Sequence, residues 1–145
     1  MIVYAVDTGG EYITVAESQR RHPVGQRSLY VNLTNRCPCA CTFCLRPLKH
    51  MAEESTLWLK HEPTVEEVKA ELAVVPWPLI HEVVFCGFGE PTMRLQDLVT
   101  LLRWVKEEHP EVNTRVNTNG LSDLVYERDT APDFSGGILD TISIS

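Results

Sequence analysis

Four of the five cysteines fall within eight residues, Cys37 to Cys44, directly behind a run, Ser28 to Thr34, that alternates as a strand does. In that run Leu29, Val31 and Leu33 share one face, and Tyr30, Asn32 and Thr34 the other. Cys37, Cys41 and Cys44 stand in the spacing C-x3-C-x2-C, with Phe43 just before the last. From that spacing one tight loop can aim three thiolates at a single point. Iron–sulfur clusters are normally held by four cysteine thiolates; three would leave one iron open, as catalytic metal sites do. A structural zinc site or a set of reduced thiols draws on the same residues. Zinc sites, however, usually spread two cysteine pairs over a longer segment, and no second pair exists here. Cys39 falls outside the spacing and reads as a free thiol beside the loop. Cys86 ends an apolar run and reads as a packed core residue.

The rest of the chain alternates strand-like and helix-like segments. Ile2 to Val6 and Glu11 to Val15 flank Asp7-Thr8-Gly9-Gly10 and predict a β-hairpin. Ala16 to Arg27 is polar, contains Pro23 and Gly25, and reads as a connector. Leu45 to Pro63 is irregular, with a short extended piece expected at Leu57 to Leu59. Thr64 and Glu67 form a capping box ahead of the apolar stripe Val65, Val68, Leu72 and Val75, so a helix starts there. Pro76-Trp77-Pro78 ends it. Glu82 to Cys86 predicts a strand buried on both faces. Leu95 to Glu108 predicts a helix with Leu95, Leu98, Val99, Leu102 and Val105 inward. Val112 to Asn117 predicts a further strand, Leu121 to Leu139 a weakly helical or irregular stretch, and Thr141 to Ser145 a last strand. Strands alternating with helices imply βα units and a parallel sheet. Ile142 and Ile144 should then face the helices, leaving Thr141, Ser143 and Ser145 on the opposite face.

Two further motifs sit where strands give way to loops, on the rim where α/β proteins bind ligands. Gly87-Phe88-Gly89-Glu90-Pro91 follows the Glu82 to Cys86 run, and Asn117-Thr118-Asn119-Gly120 closes the Val112 to Asn117 run. By themselves a glycine turn and an Asn-Gly turn are ordinary connections. The five histidines are scattered and show no metal-ligand spacing, and Glu66, Glu67 and Glu71 read as a solvated helix face.

Taken together, the cysteine loop C-x3-C-x-Phe-C behind a strand and the downstream Gly87 to Pro91 turn resemble the radical S-adenosylmethionine (SAM) family. The wording Tyr30 to Cys39, with Cys86-Gly-Phe-Gly-Glu-Pro-Thr92, is similar to a narrower group, the TatD-linked radical SAM proteins. The resemblance runs from the first hairpin to Ser145. It implies that Cys37, Cys41 and Cys44 hold a [4Fe–4S] cluster whose fourth iron SAM chelates. Electron transfer would then cleave SAM to a 5′-deoxyadenosyl radical that abstracts hydrogen from a substrate the sequence does not identify. The same resemblance implies SAM contacts from Phe43, Gly87, Phe88, Gly89, Glu90, Asn117, Thr118, Ser143 and Ser145, and an electron donor such as flavodoxin or ferredoxin. Phe88 stands where a glycine is usual in the family's Gly-Gly-Glu-Pro motif. The family fold is a partial (β/α) barrel of six βα units. About four are expected here, in residues 28–145, after a hairpin and connector in residues 1–27, so the chain looks like the front part of a longer protein. An iron–sulfur electron-transfer or redox-sensing module without SAM chemistry is the alternative.

Composition bounds these readings. A chain of 145 residues can bury a core hiding roughly 68–70% of its unfolded surface. A net charge of −7 argues against general nucleic-acid binding. The longest apolar stretch, Leu72 to Ile80, is interrupted by Pro76 and Pro78 and is too short to span a bilayer. The start, Met1 to Asp7, has no basic region ahead of an apolar run, so a cytoplasmic protein in a reducing compartment is expected.

Overall fold

The computed structural model describes residues 1–42, 44 and 56–145. Six strands form one open sheet in the order β2-β1-β3-β4-β5-β6. They are β1 (Val3–Val6), β2 (Tyr12–Ile13), β3 (Arg27–Val31), β4 (Ile80–Phe85), β5 (Asn113–Thr118) and β6 (Thr141–Ile144). The pairs β3–β4, β4–β5 and β5–β6 are parallel, while β1 runs antiparallel to both β2 and β3. The predicted hairpin is thus present, shortened, and extends the same sheet as the parallel strands. This is an α/β architecture consistent with a partial radical SAM (β/α) core.

The helices are α1 (Val15–Arg21), α2 (Val65–Leu72), α3 (Leu95–Glu108) and α4 (Ser122–Tyr126). The capping box at α2 forms: Glu67 N donates to Thr64 Oγ1 at 3.1 Å and Thr64 N to Glu67 Oε2 at 2.7 Å. Helix α3 keeps its predicted bounds. Leu101 is fully buried, however, and Val99 only partly, because the apolar stripe is wider than the five residues expected. The core lies between α2, α3 and one sheet face, where Leu29, Val31, Val83, Phe85 and Val116 point. Leu33 joins it from the segment after β3.

The connector expected over Ala16 to Arg27 contains α1. Its polar sequence offers no apolar period to read; instead Thr14 caps it by accepting from Glu17 N at 3.1 Å, and Arg20 and Arg21 both pair with Glu17. The irregular stretch between β5 and β6 resolves into α4 and a 3-10 turn, Ala131–Phe134. Residues 45–55 of the predicted Leu45 to Pro63 segment lie outside the described residues. Leu57 and Leu59 are buried with Trp58 outward at 54% exposure, the alternation of an extended piece, although they join no strand. No helix among the described residues is long and apolar enough to cross a membrane.

Candidate functional site

Parallel strands bring their carboxyl ends to one rim. There the cysteine loop after β3 meets the Gly87 to Pro91 turn after β4 and the Thr118 to Gly120 turn after β5. Cys86 N donates to Val31 O at 3.0 Å, carrying the β3–β4 ladder onto the rim. Beyond it the two loops touch through their backbones, with Glu90 N donating to Arg36 O at 2.8 Å. A Cβ at Gly89 would lie 2.2 Å from Thr34 O and 2.7 Å from Arg36 O, and one at Gly87 would lie 2.1 Å from Asn32 Oδ1. Both positions therefore need glycine for lack of space. The close approach that these glycines permit is to the root of the cysteine loop.

Glu90 is only 5% exposed. Its Oε1 accepts from Thr92 N at 3.1 Å, Thr92 Oγ1 at 2.8 Å and Thr118 Oγ1 at 2.7 Å, and its Oε2 accepts from Asn119 N at 2.7 Å. A buried carboxylate is tolerated only with such a set of donors. Thr118 points with it toward the helix side and accepts from Gly120 N at 3.1 Å. The Glu90 and Thr118 side chains thus fix one turn to the other. Asn119 extends the link: its Oδ1 accepts from Leu121 N at 3.0 Å, and its Nδ2 donates to Cys39 Sγ at 3.3 Å.

The stems of the cysteine loop are clasped by side chains. Asn35 meets the Leu59 backbone twice, donating from Nδ2 to Leu59 O at 2.8 Å and accepting at Oδ1 from Leu59 N at 2.9 Å. Asn32 Nδ2 donates to Leu57 O at 2.6 Å. Arg36 pairs with Glu62, which also accepts from Thr34 Oγ1 at 2.5 Å. Half-buried Arg94 donates to Leu33 O at 2.9 Å and pairs with Asp97. Residues 36 and 62 are held together whatever the loop between them carries. Within it, Cys44 N donates to Cys41 O at 3.1 Å, and Cys37, Cys39, Cys41 and Cys44 are all half-buried. Among the described residues no group of three or more His, Cys, Asp or Glu side chains lies close enough to share a metal ion. Phe43 lies outside the described residues.

The far face of the sheet, away from the core, is ordered in rows. Ladder partners place Tyr4, Tyr30, Val84, Arg115 and Thr141 in one row across five strands. The row nearer the amino ends holds Ser28, Glu82 and Asn113. Toward the rim, Asn117 lies opposite Ser143 and against Cys86. Burial pushes the Cys86 thiol up, with the Asn117 amide and Tyr4 opposing it, and burial also raises Tyr30. Asn117 Oδ1 is buried without a partner. Ser145 N donates to Thr118 O at 3.1 Å and its side chain is exposed. The rim thus gathers the cysteine loop, the glycine turn, Asn117 and the two serines. The roles of Asn32, Asn35, Arg36 and Asn119 were not legible, because their partners lie up to 80 residues away.

The radical SAM superfamily pattern matches residues 31–145. Two GTP 3′,8-cyclases of Corynebacterium glutamicum, from strain R and strain ATCC 13032, are each 33% identical over 102 residues. That stretch is 66% of this chain and 25% of either relative, so the match spans about a quarter of the relatives' length. No solved structure matches the chain at a significant level.

Proposed function

The chain belongs to the radical SAM superfamily, and on that premise we propose that Cys37, Cys41 and Cys44 hold a [4Fe–4S] cluster and that SAM lies across the adjoining rim. The observation that carries this reading is the C-x3-C-x2-C loop, rooted by close backbone contact to the glycine turn at the carboxyl ends of parallel strands. The donor chemistry fits. Thiolates are the ligands iron–sulfur clusters take. The partnerless Asn117 Oδ1 matches a ligand carrying N–H or O–H donors, and SAM has both an ammonium and ribose hydroxyls. Such a pair, when bound, supplies reductive cleavage of SAM to a 5′-deoxyadenosyl radical that abstracts hydrogen.

This chain's own residues bind and position. The clasps from Asn32, Asn35 and Glu62 hold the loop stems while the thiols are drawn together, so metal binding and loop closure are coupled. Gly87, Phe88 and Gly89 offer backbone to SAM. Glu90 and Thr118 act through their mutual hydrogen bond, which holds that backbone in place. Ser143, Ser145 and Phe43 complete the proposed contacts. A cytoplasmic setting, with flavodoxin or ferredoxin as electron donor, follows from this reading. Kinship with the TatD-linked group rests on Tyr30 to Cys39 and Cys86 to Thr92. The cyclases' GTP chemistry stays with them, because the shared stretch is a quarter of their length.

Anaerobic reconstitution tests the proposal. Four iron and four sulfide per chain are expected, with an electron paramagnetic resonance spectrum of the reduced protein that changes on adding SAM. A cluster whose spectrum ignores SAM would replace this reading with an electron-transfer or redox-sensing module. Zinc bound without iron would replace it with a zinc-stapled fragment.

A further inference from the structure

We propose that Asn119 is a positioning residue: its side-chain amide holds the Cys39 thiol off the cluster and so keeps the fourth iron open for SAM. This rests on the reading that Cys37, Cys41 and Cys44 hold a [4Fe–4S] cluster. Four thiolates are the usual ligand set of such a cluster, and the loop carries four. Cys37, Cys39 and Cys41 are half-buried while Pro38, Ala40 and Thr42 are exposed, so the three thiols share the inner side of the loop. Cys39 is two residues from Cys37 and two from Cys41. Its Cα therefore lies within about 7 Å of either, the full reach of two residues. Its thiol can meet an iron that those two hold. A fourth thiolate would close the position that a catalytic metal site leaves open.

Spacing alone does not keep Cys39 away; a contact from the next turn does. Asn119 Nδ2 donates to Cys39 Sγ at 3.3 Å, across 80 positions of sequence. The amide is fixed in this orientation. Its Oδ1 accepts from Leu121 N at 3.0 Å, and the Asn119 backbone N donates to Glu90 Oε2 at 2.7 Å. Glu90 is itself buried and bound to Thr92 and Thr118. The donor thus stands on a braced turn, and the thiol comes to it. One hydrogen bond decides only a close contest. Here the loop must bend to bring a fourth thiol onto a cluster already held by three, and SAM competes for the same iron. The effect expected is therefore about tenfold, the order of a single hydrogen bond.

The test uses the chain reconstituted anaerobically, as the parent, C39A, N119D and N119D/C39A. N119D keeps the acceptor for Leu121 N and replaces the donor to Cys39 by a second acceptor. Mild oxidation with ferricyanide removes an iron that lacks a cysteine: one electron passes to the oxidant, and a three-iron cluster and Fe(II) form. The product is counted by its electron paramagnetic resonance signal. SAM is titrated separately against the spectrum of the reduced cluster. The parent and C39A should lose iron at rates within twofold. N119D should lose it about tenfold more slowly and need about tenfold more SAM, and N119D/C39A should return both to within threefold of the parent. Parental rates and a parental SAM response in N119D overturn the proposal. So does a defect in N119D that C39A does not restore, which would assign the effect to the turn or to the added charge. A parent tenfold slower than C39A overturns it too, because Cys39 would then already be the fourth ligand. If N119D does not fold, N119A and N119A/C39A decide by the same measures. A parent cluster that loses one iron but ignores SAM strikes the functional reading alone, since the oxidation reads Cys39 without SAM.

Discussion

Glu90 shows what one buried charge does at a rim. Both carboxylate oxygens accept, from two backbone amides and two hydroxyls that belong to different turns. Replacing it with glutamine keeps the shape but sets an N–H₂ group against a donor. Glu90→Gln should therefore destabilise the fold by about 1–3 kcal/mol, read from urea unfolding; an unchanged midpoint would mean that the turns are held by other contacts. The cysteines divide by environment as well as by spacing. Cys39 Sγ accepts from Asn119, and the Cys86 thiol is kept neutral by burial, which the Asn117 and Tyr4 hydrogen bonds oppose. Single alanine variants of Cys37, Cys41 and Cys44 should each lose iron on reconstitution, whereas Cys39→Ala and Cys86→Ala should retain it. Iron lost from Cys39→Ala and kept by Cys37→Ala would reverse the assignment.

At the scale of elements, the cysteine loop is a large excursion between β3 and α2 whose ends are fixed side by side. Loop closure costs entropy, and the Asn35 clasp meets part of that cost before any metal arrives. Asn35→Ala removes both hydrogen bonds to Leu59 and leaves its amide and carbonyl short of partners. A local loss of about 1–2 kcal/mol should follow, a factor of roughly 5–30 in the opening equilibrium. The reconstituted variant should release iron to a chelator faster by about that factor, with amide exchange quickened at Leu59. Release at the parent rate, with unchanged exchange, would show that the clasp does not hold the loop. Helix α1 is the opposite case, a short element made by one cap and surface ion pairs with little apolar burial, and each such pair is worth little.

Across the whole molecule, the sheet is open. Strand β6 forms its outer edge among the described strands, and Ile142 and Ile144 stand 51% and 71% exposed on the helix side. Ile144 also closes on the turn after β5, its Cγ2 standing 3.1 Å from where a Cβ on Gly120 would lie. Ile144→Lys should shift the stability of this chain by no more than about 0.5 kcal/mol, as surface changes do, read from urea unfolding. A larger loss would mean that the β6 side chain carries part of the packing against that turn.

The sequence alone determined whatever depends on near neighbours. The period of α3, the Thr64–Glu67 box and the apolar β4 run are set within a few residues, and each forms as the pattern implies. The cysteine spacing is likewise local, and it carried the family resemblance. Tertiary structure decided what depends on distant partners. Gly89 stands in a turn that the family resemblance marks as a SAM contact; that a side chain there would meet Thr34 O, far earlier in the chain, appears only in the fold. Asn32 and Asn35 look like strand and turn residues until Leu57 and Leu59 return beside them. Arg115 is one basic residue in an alternating strand; its lone Nε and its row with Tyr30 exist only once parallel pairing fixes the register. Hydrogen-bond partners separated by tens of residues leave no periodic trace in the chain, which is why the site's supports appear only in the fold.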